Sequence, residues 1–160
     1  MNKWMKGKFK PKNPEKYVGD VDNIIFRSSW ELCFMQWCDV TPEIIRYSSE
    51  ETVIPYFDPV KNTRRRYYVD FKIVTKNADG SYKVTLVEIK PYKQTMKPRA
   101  NRNKSEKTVL LEQTTWITNK AKWLAAKAYA AEKGWHFKII TEREIFGGID
   151  RGYKPPKPAR

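Results

Sequence analysis

The stretch YYVDFKIVTKNADGSYKVTLVEIK, residues 67–90, decides the fold. Two runs rich in Val, Ile, Tyr and Phe, Arg64–Val74 and Lys83–Lys90, flank Asn77-Ala78-Asp79-Gly80-Ser81, where Asp-Gly accepts the positive φ angles that a tight turn needs. They read as a β-hairpin. Alternate side chains of a strand share a face, so Glu88 and Lys90 project together while Val87 and Ile89 point the other way. On the preceding strand Asp70 goes with Tyr68 and Lys72, opposite Tyr67, Val69, Phe71 and Ile73. A turn centred on Asp79 sets a register in which Asp70 faces Glu88, with Cβ atoms roughly 5 Å apart.

Working outward, Phe26, Trp30, Cys33, Phe34 and Trp37 recur at helical spacing, which predicts an amphipathic helix over 29–39 stopped near Thr41-Pro42. Thr52–Phe57 reads as a short strand. Residues 91–107 are polar, basic and Pro-containing, a surface loop. Thr108–Lys133 reads as a long helix ended by Gly134, Trp135–Ile140 as a strand, and Thr141-x-x-Glu144 as a capping box opening a last short helix. The expectation is one α/β domain over 21–147, preceded by an irregular basic arm over 1–20 and followed by a Pro-rich, disordered basic tail over 148–160.

The chain of 160 residues carries a net charge of +14, from 32 basic and 18 acidic residues. That charge sits in the first sixteen residues, in 61–66, in 90–107 and after Phe146, leaving a body that is slightly acidic. Basic arms around a compact core are what a polyanion-binding protein needs, with the core free to hold a cation. No run approaches the ~20 apolar residues of a membrane span, and the first sixteen residues lack the apolar segment of a signal peptide. A cytosolic protein is expected. Cys33 and Cys38 fall in the apolar helical pattern and read as core. The single histidine, His136, disfavours His-based nuclease and Ser-His-Asp chemistry, and reads as a strand residue at a sheet edge.

Two facing carboxylates destabilise a bare hairpin unless a cation binds between them. A hard divalent ion resolves the repulsion: Mg²⁺, with Mn²⁺ as a substitute, takes oxygen ligands from Asp70, Glu88 and the Ile89 carbonyl, and keeps several waters. Lys90, on the same face, is placed to contact a phosphate and stabilise charge developing on it. An ordinary solvated strand face with an incidental Glu-Lys pair is the competing reading. Glu31 borders the apolar stripe of the first helix, where Ser28-Ser29-Trp30-Glu31 also reads as a capping box that satisfies the backbone of Ser28. A third carboxylate there could bind a second metal or a metal water.

The order Glu31, Asp70, Glu88-Ile89-Lys90 resembles the PD-(D/E)xK nuclease superfamily. More closely, Phe26-Arg27-Ser28-Ser29-Trp30-Glu31, Val53-Ile54-Pro55-Tyr56, Arg65-Arg66-Tyr67-Tyr68-Val69-Asp70 and Val87-Glu88-Ile89-Lys90-Pro91 resemble the head completion nucleases of T4-like tailed phages, themselves similar to the endonuclease subunit of Tn7-type transposases. The likeness runs from about Lys12 to Phe146. It implies a restriction-endonuclease-like core, a central mixed sheet flanked by helices, and Mg²⁺-dependent hydrolysis of DNA in the host cytoplasm, with phage head, portal or neck proteins as neighbours and a place in the virion. Asp70, Glu88, Lys90 and Glu31 take the site roles. The Pro usual before the first Asp is Val69 here. Asn119, Lys120 and Trp123 of the long helix match as well. Arg64, Arg65, Arg66, Lys93, Lys97, Arg99, Arg102, Lys104 and Lys120 are the candidate DNA contacts. The alternative is a DNA-binding head-completion protein that keeps the fold without cutting.

Overall fold

Each helix begins and ends at side chains suited to the task. The Oγ of Ser28 accepts the N–H of Glu31 at 3.1 Å, opening α1 (Ser29–Val40), and the Oγ of Ser105 accepts the N–H of Thr108 at 3.2 Å, opening α2 (Glu106–Glu132). Gly134, at φ 70°, takes the left-handed conformation that stops α2. Before α3 (Glu142–Gly147), Glu144 accepts both the N–H (2.8 Å) and the hydroxyl (2.6 Å) of Thr141, while the Arg143 N–H donates back to that hydroxyl, so the capping box is present.

The computed structural model describes residues 5–147. Its strands are β1 (Gly7–Lys8), β2 (Ile25–Phe26), β3 (Ile44–Ser49), β4 (Val53–Asp58), β5 (Thr63–Tyr68), β6 (Phe71–Lys76), β7 (Tyr82–Ile89) and β8 (His136–Ile140). The central sheet has the order β3-β6-β7-β8, antiparallel except for the parallel pair β7 and β8, whose crossover contains α2. β1 pairs with β2, and β4 with β5, in two small antiparallel sheets. The central sheet is therefore mixed, as expected. Among the described residues no helix is long and apolar enough to cross a membrane.

Two apolar clusters lie on opposite faces of that sheet. Phe71, Ile73, Val87 and Ile89 pack with Trp30, Phe34, Trp37 and Cys38 of α1 and with Ile145 of α3. On the other face Leu86 packs with Ile54, Tyr56, Tyr67 and Val69, closed by Ala126 and Ala130 of α2, whose small side chains let the helix approach closely. Cys33 and Cys38 are buried thiols, and His136 is exposed at the start of an edge strand.

Three expectations need correction. The run Arg64–Val74 is two strands: β5 ends at Tyr68 and β6 begins at Phe71, in different sheets. Tyr67 and Val69 consequently join the α2 cluster while Phe71 and Ile73 join the α1 cluster, so the single alternating face breaks at Asp70. The strand β3 is absent from the pattern of the sequence, because a register shift between Ile44 and Arg46 spoils its period of two. The basic segment before Asp20 is also less irregular than its composition suggests. Gly7 and Lys8 pair with β2, Phe9 is in the core, and the backbone N–H groups of Lys12 and Asn13 donate to the buried Asp39 at 2.7 and 3.1 Å. The ammonium of Lys16 donates to the carbonyls of Cys38, Asp39 and Thr41 at 2.7, 3.0 and 2.8 Å, capping the end of α1. The tail expected over 148–160 lies outside the described residues.

Candidate active site

The β6–β7 register is the expected one, running from Lys76 opposite Tyr82 to Phe71 opposite Val87, and its next step brings Asp70 to Glu88. Asp70 belongs to neither sheet. It occupies the joint between β5 and β6, and that joint is clipped on both sides: Val69 N–H donates to the Thr52 carbonyl, and Glu50 N–H to the Asp70 carbonyl, each at 3.0 Å. Glu50 adopts a φ of 56°, rare for a residue with a side chain, to make that bond. The Asp70 carboxylate accepts the Ile89 N–H at 2.8 Å.

Glu88 is 3% exposed and held at both oxygens: Tyr67 Oη donates to Oε2 at 2.5 Å, and Lys90 Nζ lies 3.2 Å from Oε1. Burial first, then the Glu88 charge, push the Asp70 carboxyl well above its ordinary range, against the opposing pull of the Ile89 N–H and Lys90. The Tyr67 hydroxyl is pushed up by burial and by Glu88, so it stays a donor.

Glu31 approaches from α1. Its carboxylate accepts the Arg27 N–H at 2.8 Å, so the cap it forms satisfies Arg27 rather than Ser28. Burial raises its pKa, and its charge in turn raises that of Asp70. Among the described residues, however, no three His, Cys, Asp or Glu side chains converge to hold an ion, so Glu31 borders the Asp70–Glu88 pair without completing a three-carboxylate set.

Three neighbours of the pair escape a reading of the sequence. Arg27 is paired with Glu50, and its charge is felt by both Glu31 and Asp70. Tyr67 belongs to the opposite face if the strand is taken as unbroken, an error that follows from the break at Asp70. Lys122, half-buried on α2, lies 5.6 and 5.9 Å from the ring centres of Tyr67 and Tyr56. Burial, then the Lys90 charge, lower its pKa. A signal for it exists: Asn119, Trp123, Ala126 and Ala130 form the buried stripe of α2, and Lys122 sits within that stripe.

The candidate DNA contacts divide by position. Arg64 and Arg66 are exposed on the outer face of β5, while Arg65 turns to the buried Asp58 at 3.4 Å. Lys93, Lys97, Arg99 and Lys104 line a cavity between the 91–105 loop and α2. Lys104 is also engaged by Glu112, at 2.7 Å, and by the Arg99 carbonyl at 3.2 Å. Arg102 is exposed outside that cavity, and Lys120, also exposed, lies 5.5 Å from the Trp116 ring centre.

A mixed sheet flanked by helices, with Asp, Glu and Lys gathered at one end of its central hairpin, is the restriction-endonuclease-like fold. Residues 41–142 match the family described as TnsA-like endonuclease N terminal, and the chain belongs to that family. The head completion nuclease of Enterobacteria phage T4 is 41% identical to it over 139 residues, 85% of this chain and 90% of that protein. No solved structure gives a significant match.

Proposed function

We propose that the chain is a Mg²⁺-dependent endonuclease that hydrolyses the phosphodiester bonds of DNA during the completion of phage heads. The observation that carries the chemistry is the convergence of Asp70 and Glu88 with Lys90 at the open end of the β6–β7 hairpin, away from its turn. The head-completion role is supported by the name of the phage T4 relative. Action in the host cytoplasm or the virion, beside head, portal or neck proteins, is the setting that role implies.

Asp70, Glu88 and the Ile89 carbonyl would hold the ion, because two crowded carboxylates, one with its proton affinity raised, are relieved by a divalent cation between them. When bound, Mg²⁺ or Mn²⁺ supplies Lewis-acid polarisation of the phosphate and activation of water. The chain's own residues do the rest. Lys90 balances charge that grows on the phosphate oxygens, with Lys122 as a second cation nearby. Tyr67 fixes one oxygen of Glu88, and the other meets Lys90. Glu31 supplies a further acceptor at the border. Arg64, Arg66, Lys93, Lys97, Arg99 and Arg102 hold the backbone of the duplex.

Supercoiled plasmid is the test. Nicking by the wild-type chain in Mg²⁺, none in EDTA and none by Asp70→Ala, with DNA binding kept by the variant, is the expected pattern. A chain that binds plasmid and never nicks it is a structural DNA-binding protein, and cleavage by Asp70→Ala at the full rate would sink the site assignment.

A further inference from the structure

The cavity between the 91–105 loop and the first half of α2 encloses about 690 Å³ and has a construction that phosphate gripping alone does not require. Lys93, Lys97 and Arg99 border it, yet its wall is apolar, from Met96, Leu111 and Trp116. Trp116 is braced edge-on by Trp123, with ring centres 6.1 Å apart. Asn119, also in the lining, is only 5% exposed, and its amide makes no hydrogen bond among the described residues. It presents a donor and an acceptor side by side.

We propose that this cavity is a pocket for one nucleobase of the DNA, displaced from its helix. A base is flat, carries donors and acceptors along one edge and has a phosphate on either side; the cavity offers an aromatic wall, an unpaired amide and a cationic border in the same arrangement. A peptide fits less well, because the border is cationic and its one nearby carboxylate, Glu112, is already paired with Lys104. The location agrees. Asn119 lies one helical turn before Lys122, whose ammonium feels Glu88 and Lys90, and Lys93 follows Lys90 by three residues. A base still stacked in a duplex cannot reach such a pocket, so the ligand is an unpaired nucleotide next to the bond to be cut. This inference rests on the nuclease reading for its biological meaning, but not for its test.

The test is affinity in Mg²⁺-free buffer for three duplexes of about 20 base pairs: fully paired, with one extra unpaired adenosine, and with that extra nucleotide abasic. The wild-type chain should bind the adenosine form about tenfold tighter than the abasic form. Trp116→Ala and Asn119→Ala should each remove that advantage while leaving affinity for the paired duplex within about twofold. Leu111→Trp, at a position 65% exposed and therefore harmless to folding, should remove it by filling the cavity. Equal wild-type affinity for the adenosine and abasic forms would overturn the pocket and leave a border that grips phosphate only. An advantage that survives all three substitutions would overturn it too, placing base recognition elsewhere. Plasmid nicking in Mg²⁺ on the same preparation separates the two readings, since absence of nicking with the base preference intact refutes the nuclease alone.

Discussion

Glu88 shows how much one residue depends on its neighbours. Buried, it touches Tyr67 through one oxygen and Lys90 through the other, so removing the phenol hydroxyl frees the carboxylate to rotate. Tyr67→Phe should slow plasmid nicking about tenfold and raise the Mg²⁺ concentration needed for half-maximal rate, with the fold intact, as for other residues that orient metal ligands. Asp70 gives a pH signature. Its folded pKa is raised, so between the ordinary aspartate value near 3.8 and the raised one the folded chain binds more protons than the unfolded chain, and stability falls as pH rises through that window. Asp70→Asn removes this fall and can still accept the Ile89 N–H. In EDTA its melting temperature should match the wild type near pH 4 and exceed it at pH 8. Asp70, Glu88 and Lys90 are legible in the sequence because a tight turn and a period of two locate side chains without any long-range information. Tyr67 is not, because its face depends on where a strand ends, and no turn residue marks the end at Tyr68.

At the level of elements, composition misleads where a charge has a local use. Lys16 belongs by sequence to a basic arm, yet its ammonium is consumed by three carbonyls at the end of α1. Lys16→Met should destabilise the chain by about 1–3 kcal/mol in urea unfolding, the cost of leaving those carbonyls without a donor, and should change DNA affinity little. The 91–105 loop behaves differently. Changing Arg99, Arg102 and Lys104 together to Ala should weaken binding to any DNA sequence and flatten the log–log salt dependence by about 0.9 for each phosphate no longer neutralised. Because Lys104 is engaged with Glu112, the change in slope should correspond to about two phosphates rather than three. An unchanged slope would mean that the loop only solubilises the chain. Helices are the most legible elements, since caps at Ser28, Thr141 and Gly134 are local chemistry. β3 escapes notice because its bulge breaks the only pattern by which a strand is recognised.

Across the whole molecule, the arrangement is two apolar clusters separated by one sheet, with the site at the place where the chain passes from the β4–β5 pair into that sheet. The mixed sheet is legible only through the family resemblance, and the structure builds it from the β7–α2–β8 order, in which a long helix carries the chain over to a parallel neighbour. The sequence does not announce the separate β4–β5 pair, whose existence follows from α2 covering one of its faces. The passage itself is two residues long, Val69 and Asp70, clipped by Thr52 and Glu50. Its shortness makes the gene intolerant of length change at one place and indifferent at another. One glycine inserted between Val69 and Asp70 would leave both clusters able to assemble, but would carry the carboxylate out of phase with Glu88. Such a chain should melt within a few degrees of the wild type and cut nothing. The same glycine inserted among residues 59–62, in the exposed turn between β4 and β5, should leave cutting unchanged, so a scan of single-residue insertions would trace the site as a gap in an otherwise permissive stretch.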